Sequence, residues 1–196
     1  MNKIYNFFLI LIFLGCNGLS EKDTIYFNKD FNWTIKLPKE YKKMSNSEWN
    51  SKVEVGGKAL EKNNDVKFEN QTRPIFIFKI NAQNYFESTV MPYNIDKDGK
   101  LKDYLAEYNQ IQFNTYKSAK PDLKIDTIST TIKIDELIFD KCEMILRPNE
   151  NTAKTLIKMI SYNRIFDNNL FSVNIIYNDE KIGSKIINEM ENSKFK

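Results

Sequence analysis

Residues 74–80 read Pro74-Ile75-Phe76-Ile77-Phe78-Lys79-Ile80, an apolar run interrupted by a single lysine. A strand with one face in water alternates apolar and polar residues, whereas a strand buried on both faces is apolar at nearly every position. We therefore predict that residues 74–80 form a central strand covered on both faces. Other elements must then lie on each side of its sheet.

A helix is predicted upstream of this strand. Ser45 and Glu48 have the capping-box spacing, in which each side chain satisfies a backbone N–H of the other residue. Apolar or small residues then recur on one helical face at Trp49, Val53, Gly56 and Leu60. Because glycine disfavours the helical state, the pair Gly56-Gly57 predicts an early end to this helix. The polar residues 61–73 predict a loop.

A partner strand and a second helix are predicted downstream. Tyr85–Tyr93 is typical of a strand that pairs with residues 74–80. A helix follows, because its apolar face recurs at helical spacing. The residues of that face are Leu101, Tyr104, Leu105, Tyr108, Ile111 and Thr115. Pro121 ends the element.

The last third of the chain is predicted to be mostly strand. Alternating apolar residues indicate four strands, at Ile128–Ile134, Leu137–Leu146, Leu156–Phe166 and Phe171–Tyr177. The turns Asp135-Glu136 and Asp167-Asn168-Asn169 are short enough to make antiparallel hairpins. A closing helix then carries Ile182, Ile186, Ile187 and Met190 on one face.

The order of these elements predicts the fold class. With two strands at Thr24–Phe27 and Asn32–Leu37, the chain reads strand pair, helix, strand pair, helix, four strands, helix. Each amphipathic helix must cover part of the sheet, and a doubly apolar strand needs cover on both sides. We therefore predict an α+β protein, an α/β/α sandwich with a mainly antiparallel central sheet.

Three segments give the chain a resemblance to the PsbP-like fold. They are Phe31-Asn32-Trp33-Thr34-Ile35-Lys36-Leu37-Pro38, the mid-chain hairpin with its helix, and the closing helix with Asn192-Ser193-Lys194-Phe195. Photosystem PsbP proteins, Ran-binding Mog proteins and many small bacterial lipoproteins share this fold. The resemblance covers residues 24–196 as a single domain in element order. It implies an accessory role, because relatives of this shape stabilise or recruit protein partners more often than they catalyse.

The amino terminus resembles a lipoprotein signal. Residues 7–14 are an unbroken apolar run, too short for a permanent spanning helix, and Gly15-Cys16 follows it as in a lipobox. The resemblance implies a signal peptide at residues 1–15, a covalent lipid on Cys16 and a polar tether at residues 16–23. An ordinary secretory signal or an uncleaved anchor is the alternative.

Residue counts exclude several classes of site. The chain has no histidine, which removes Ser-His-Asp and Cys-His arrangements and histidine metal sites. Of its two cysteines, Cys16 is assigned to the lipid, so Cys142 has no partner for an intramolecular disulfide. We predict a buried, inert thiol for Cys142, which shares a strand face with Met144 and Leu146. The alternative is a reactive thiol beside a cation or a helix end.

Charge argues against nucleic acid as a partner. The formal net charge is +3 and becomes +2 without Lys3, with acidic and basic residues interspersed. Binding of nucleic acid requires a concentrated basic face.

Two features are weak candidates for a site. Asn94, Asp96, Asp98 and Gly99 copy the opening of an EF-hand loop, but Leu105 stands where the bidentate glutamate belongs. We expect a solvated turn without a metal ion, and name Asp96 and Asp98 as the place for any cation. Phe113 lies off the apolar face of its helix, so we consider it as part of a partner-binding patch.

The expected function is that of a lipid-anchored, non-enzymatic binding or assembly protein of the cell envelope. No cofactor is expected besides the lipid on Cys16, and the partners are the membrane and an envelope protein. Asn17 stands where aspartate would favour inner-membrane retention, which favours the outer membrane. The alternatives are a carrier with an apolar cavity for a small ligand and a hydrolase with two carboxylates in one pocket.

Overall fold

The computed structural model describes residues 23–64, 67–149 and 156–196. The strands are β1 (Thr24–Asn28), β2 (Trp33–Leu37), β3 (Lys42–Lys43), β4 (Arg73–Asn81), β5 (Asn84–Pro92), β6 (Lys124–Ile134), β7 (Leu137–Arg147), β8 (Ile157–Phe166), β9 (Asn169–Tyr177) and β10 (Lys194–Phe195). The helices are α1 (Asn46–Asn63), α2 (Ile95–Asp98), α3 (Leu101–Ala119) and α4 (Glu180–Glu191). None of the helices in these ranges is both long and apolar enough to span a bilayer.

The large sheet has seven strands in the order β3-β4-β5-β9-β8-β7-β6, and every neighbouring pair is antiparallel. The predicted central position of residues 74–80 is wrong, because β9 is central and β4 lies next to the edge strand β3. The predicted cover on both faces is confirmed, since Phe78 and Ile77 are buried in different core clusters. An apolar run predicts burial on both faces of a strand but does not predict the position of that strand in its sheet.

Helix α1 begins where the sequence predicts. Ser45 is its N-cap, and the backbone N–H of Glu48 donates to Ser45 Oγ at 3.2 Å. The Glu48 carboxylate accepts from Lys79 Nζ at 2.5 Å on β4. The predicted early end at Gly56-Gly57 is wrong, because α1 continues to Asn63. The ring of Phe68 packs where a Cβ on Gly57 would lie, so tertiary packing outweighs the low helix propensity there.

The predicted hairpins of the last third are confirmed. Asp135 and Glu136 join β6 to β7 with φ values of 45° and 71°, the left-handed conformation of a two-residue turn that suits the twist of the strands. The first two strands also form, but they belong to a separate three-stranded sheet, in the order β1-β2-β10.

The two faces of the large sheet are covered differently. Helix α4 and the small sheet cover one face, which we call the aromatic face; its core includes Trp33, Phe78, Phe86, Phe139, Tyr162 and Phe171, each at most 1% exposed. Helices α1 and α3 cover the other, which we call the helical face. It holds two small apolar clusters, one around Trp49 and Ile77 and one around Leu123, Met144 and Leu146.

Candidate functional site

A belt of polar side chains crosses the helical face. Residues paired across neighbouring strands point to the same side of a sheet, so the strand register defines two adjacent rows. The first row is Glu87, Asn174, Ser161, Cys142 and Ser129. The second row is Thr89, Ser172, Asn163, Asp140 and Thr131. We call these two rows the polar belt.

Strand β9 shows how sharply the two faces differ. Phe171, Val173 and Ile175 are 0% exposed on the aromatic face. Ser172 and Asn174 alternate with them and point to the helical face. The middle of β9 therefore has one apolar face and one polar face, while Leu170 and Ile176 flank the polar pair on the helical face.

Glu87 occupies the enclosed end of the polar belt. Its carboxylate accepts from Trp49 Nε1 on α1 at 3.1 Å and from Asn174 Nδ2 on β9 at 3.0 Å. Burial raises the pKa of Glu87, and the two hydrogen bonds and the nearby Lys52 ammonium oppose that rise. Glu87 is therefore a carboxyl group held inside the protein by partners on two elements.

The middle of the polar belt is hydrogen-bonded within itself. Ser172 Oγ donates to Asn163 Oδ1 at 2.8 Å, and Asn163 Nδ2 donates to Ser161 Oγ at 3.2 Å. Cys142 lies in the same rows and is 8% exposed. Burial raises the pKa of its thiol, which agrees with the buried thiol predicted from the sequence.

The far end of the polar belt is open. Ser129 and Thr131 on β6 are exposed, and Ile138 on β7 is 53% exposed on the same face. On the other face of the same hairpin Ile128 is 49% exposed. The middle of β6 is therefore exposed, whereas the turn end of the β6–β7 hairpin is buried at Ile134 and Phe139.

Helix α3 covers the polar belt loosely. No residue of α3 is fully buried. Its predicted apolar face is half-buried except at Tyr108, which is 42% exposed, so that prediction is wrong for Tyr108. Burial raises the pKa of the Tyr108 phenol to about 12, and the Glu87 carboxylate adds to the rise. Phe113 is half-buried, less exposed than Tyr108, and its predicted binding role stays a prediction.

A cleft of about 410 Å³ opens beside the polar belt, between α1, α3 and the sheet. Its lining includes two aromatic residues, Tyr85 and Tyr116, with aliphatic and methionine side chains around them. Lys52 is the cation among the lining residues, and its Nζ lies 5.0 Å from the centre of the Tyr85 ring. Burial raises the pKa of the Tyr85 phenol. The cleft suits an apolar molecule with a negative group near Lys52.

Two clefts on the described residues differ in the carboxylates that line them. The larger cleft has none in its lining. A second cleft of about 330 Å³ contains Glu54 and Glu61. Glu54 accepts from Lys58 Nζ at 2.6 Å, and Glu61 accepts from the backbone N–H of Phe68 at 2.9 Å. Both carboxylates of the second cleft therefore already accept a hydrogen bond.

The Asp96 and Asp98 loop is the short helix α2. Asn94 Oδ1 accepts from the backbone N–H of Asp96 at 2.9 Å, and Asp98 Oδ2 accepts from the backbone N–H of Asn94 at 2.7 Å. The Asp98 carboxylate thus caps its own turn. The described ranges hold no group of three or more histidine, cysteine, aspartate or glutamate side chains that could bind a metal.

The polar belt was missed by sequence reasoning, although a signal existed. Ser161, Asn163, Ser172 and Asn174 are polar at alternate positions of two predicted strands. Alternation alone places such residues in water. The register between the strands is what gathers them with Glu87 beneath a helix.

The predicted lipidation residue, Cys16, lies outside the described residues.

Comparisons with known proteins support the fold alone. No family profile and no curated protein matches the sequence. Among solved structures, the chain is similar to cyanobacterial PsbP from Synechocystis sp. PCC 6803, with a TM-score of 0.56 and 11% sequence identity. The match covers 92% of this chain and 97% of that one. The fold is PsbP-like, as the resemblance around residues 31–38 and the closing helix predicts.

Proposed function

We propose that this protein is a lipid-anchored, non-enzymatic binding protein of the cell envelope, held to the membrane by an acylated Cys16. Its partner is an envelope protein that pairs with the edge strand β6 and contacts the open end of the polar belt. The observation that carries the partner role is the exposed edge of β6.

Strand β6 is a long edge with little protection. It is the last strand in the order of the large sheet and is eleven residues long. Natural edge strands are shortened or carry charges and prolines, because an open edge pairs with other chains. Thr127–Ile132 has neither charge nor proline, and its first five residues are exposed. Such an edge suits the addition of an extended strand from a partner.

The position of the tether supports this arrangement. Residues 16–23 lead directly into β1, and Tyr26 of β1 packs against Phe76 and Phe78 on the aromatic face. The polar belt lies on the opposite side of the large sheet. An anchor attached through β1 therefore leaves the polar belt accessible to a partner.

Charged variants of β6 test the partner role. Thr127→Lys with Thr131→Lys places two cations on exposed positions of the strand, while Ser118→Lys adds a cation to an exposed position of α3. After crosslinking on intact cells, we expect the protein captured by the wild type to be captured by Ser118→Lys and lost from the double variant. Equal capture by all three proteins would contradict the proposal.

The anchor has a separate test. Cys16→Ser removes the thioether that holds the lipid, and we expect the variant to leave the membrane fraction. Two or more acyl chains give stable attachment, whereas none of the described helices offers another span. Retention of the variant in the membrane would contradict the lipid anchor. Separation of inner and outer membranes tests the outer-membrane location that Asn17 favours.

A small-ligand carrier is the second candidate, because the 410 Å³ cleft contains Tyr85 and Tyr116 as a carrier would require. Anilinonaphthalene sulfonate is a suitable probe, since it joins an apolar body to an anion that Lys52 can pair with. Gly56 lines the cleft, and a Cβ there would meet no atom within 4 Å, so Gly56→Leu has room for its Cβ and adds a bulky side chain at the cleft wall. We expect the probe to bind the wild type and not this variant. Equal fluorescence with both proteins would exclude the cleft as a binding site.

A further inference from the structure

Two large apolar side chains stand exposed side by side on β1. Ile25 is 69% exposed and Phe27 is 59% exposed, while Tyr26 between them points inward onto the aromatic face. Ile25 lies opposite Lys36 and Phe27 opposite Thr34 on β2, so the outer surface of the small sheet is apolar along its β1 edge. Isolated apolar residues on a surface are ordinary, but an adjacent pair on one edge strand forms a patch.

The chain that precedes β1 limits how far this patch lies from the anchor. The described residues begin at Asp23, one residue before β1. Asp23 lies seven residue steps after Cys16, and a fully extended chain of that length reaches about 25 Å. If Cys16 carries the acyl chains, β1 is the first described element after the anchor and stays within about 25 Å of it.

We infer that Ile25 and Phe27 insert into the interfacial region of the lipid bilayer and fix the orientation of the domain on the membrane. This inference rests on the proposed acylation of Cys16. It commits the outer surface of the small sheet to lipid, and leaves the polar belt on the side of the molecule away from the bilayer.

The charges near the patch favour an apolar contact over an electrostatic one. Lys36 Nζ lies 3.2 Å from Asp23 and 3.6 Å from Glu189. Lys194, on the neighbouring strand β10, lies 3.2 Å from Asp135. Because these cations already have carboxylate partners, insertion does not require anionic lipid. We therefore expect the same insertion into phosphatidylcholine vesicles with and without phosphatidylglycerol.

Tryptophan reporters in the full anchored protein test the contact. The two native tryptophans, Trp33 and Trp49, are at most 4% exposed and give a constant background. Phe27→Trp places a reporter on the patch, and Ile25→Trp provides a second one in case the first misfolds. Ile138→Trp is the matched control, because Ile138 is 53% exposed on the opposite side of the large sheet. Each variant is purified with its anchor and reconstituted into vesicles whose lipids carry brominated acyl chains.

We expect the reporters at positions 25 and 27 to lose most of their added emission in brominated vesicles, and the reporter at 138 to lose none. Equal emission from all three in an acylated protein would overturn the inference and leave the anchor intact. A mass for the purified chain without acyl groups on Cys16 would overturn the proposed anchor itself. In detergent, the β1 reporters could instead become shielded from water as the protein concentration rises. That result would assign the patch to contact with a second copy of the chain and would also overturn the inference.

Discussion

The two tryptophans of the chain mark the difference between the two faces of the large sheet. Trp33 is 0% exposed on the aromatic face, where its ring meets Phe76, Phe86, Phe171 and Phe195. Its Nε1 donates to Ser193 Oγ at 3.0 Å.

Trp49 lies on the helical face and is also nearly buried, but its apolar cluster is small. It packs with Met44, Ile77 and Val53, and its Nε1 donates to the Glu87 carboxylate. The aromatic face thus supplies most of the buried apolar surface, whereas the helical face combines less packing with polar groups. This division leaves the helical face less densely packed than the aromatic face.

The largest changes in the free energy of unfolding are expected when each tryptophan is replaced by alanine. Trp33→Ala removes a ring from the centre of the main core, and we expect the free energy of unfolding to fall by about 3–5 kcal/mol. Trp49→Ala should cost at least about 1 kcal/mol less, since α1 can settle onto a loosely packed surface. Urea unfolding followed by circular dichroism measures both values. An equal or larger loss for Trp49→Ala would contradict the division of roles.

Alanine substitutions at two helical glycines compare how closely α4 and α1 pack against their neighbours. A Cβ on Gly183 of α4 would collide with the ring of Tyr177, so Gly183→Ala should destabilise the protein by about 1–3 kcal/mol. A Cβ on Gly56 of α1 would meet open space, so Gly56→Ala should stabilise it by about 0.5–1 kcal/mol through helix propensity. Thermal unfolding of the two variants gives opposite shifts in Tm. Shifts of the same sign would show that α1 is packed as closely as α4.

Glu87, on the helical face, is expected to make the free energy of unfolding depend on pH. Burial raises the pKa of its carboxyl group, so the folded protein binds that proton more tightly than the unfolded chain. The contribution of Glu87 to the free energy of unfolding is therefore present at low pH and is lost as pH rises through the raised pKa.

The variant Glu87→Gln isolates this contribution. Other carboxyls act in the opposite sense, as at Asp135, where the backbone N–H of Phe195 lowers the pKa. These other carboxyls are present in both proteins, so their effect cancels when the free energy of unfolding of the wild type is subtracted from that of Glu87→Gln. We expect this difference in the free energy of unfolding to grow with pH above the ordinary carboxyl range, in favour of the variant. A difference that does not change with pH would mean that Glu87 titrates as it does in water.

The smallest effect is expected within the polar belt. Cys142 lies opposite Ser161 and Ser129, so Cys142→Ser adds a hydroxyl among polar groups and should cost less than about 1 kcal/mol. Val173→Thr makes the comparable change on the aromatic face, where Val173 is 0% exposed, and should cost about 1–3 kcal/mol. Chemical denaturation compares the two. A larger cost for Cys142→Ser would contradict the polar character of the belt.

Much of the fold could be predicted because its signals are local. The cap at Ser45, the alternation in β9 and the two-residue turn at Asp135-Glu136 each depend on a few neighbouring residues. The separate small sheet could not be predicted, because alternation shows that β1 and β2 are half-buried without showing which sheet they join. Strand β10 has two residues, too few for any period to be visible.

The candidate site was harder to predict than the fold, for a related reason. Glu87 and Asn174 are far apart in sequence and meet through the register of β5 with β9. Tyr108 fits the helical period of α3, yet it is 42% exposed. A pattern along one element cannot report the chemistry of the surface it packs against.

Native-state hydrogen exchange measured by NMR tests most directly whether the aromatic face holds the fold while the helical face is loosely closed. The backbone amides of α3 should exchange through a local opening with an equilibrium constant at least about tenfold larger than that of global unfolding. The amides of β9 and α4 should exchange only through global unfolding. If the amides of α3 share the opening free energy of β9, both faces hold the fold equally and the account is wrong.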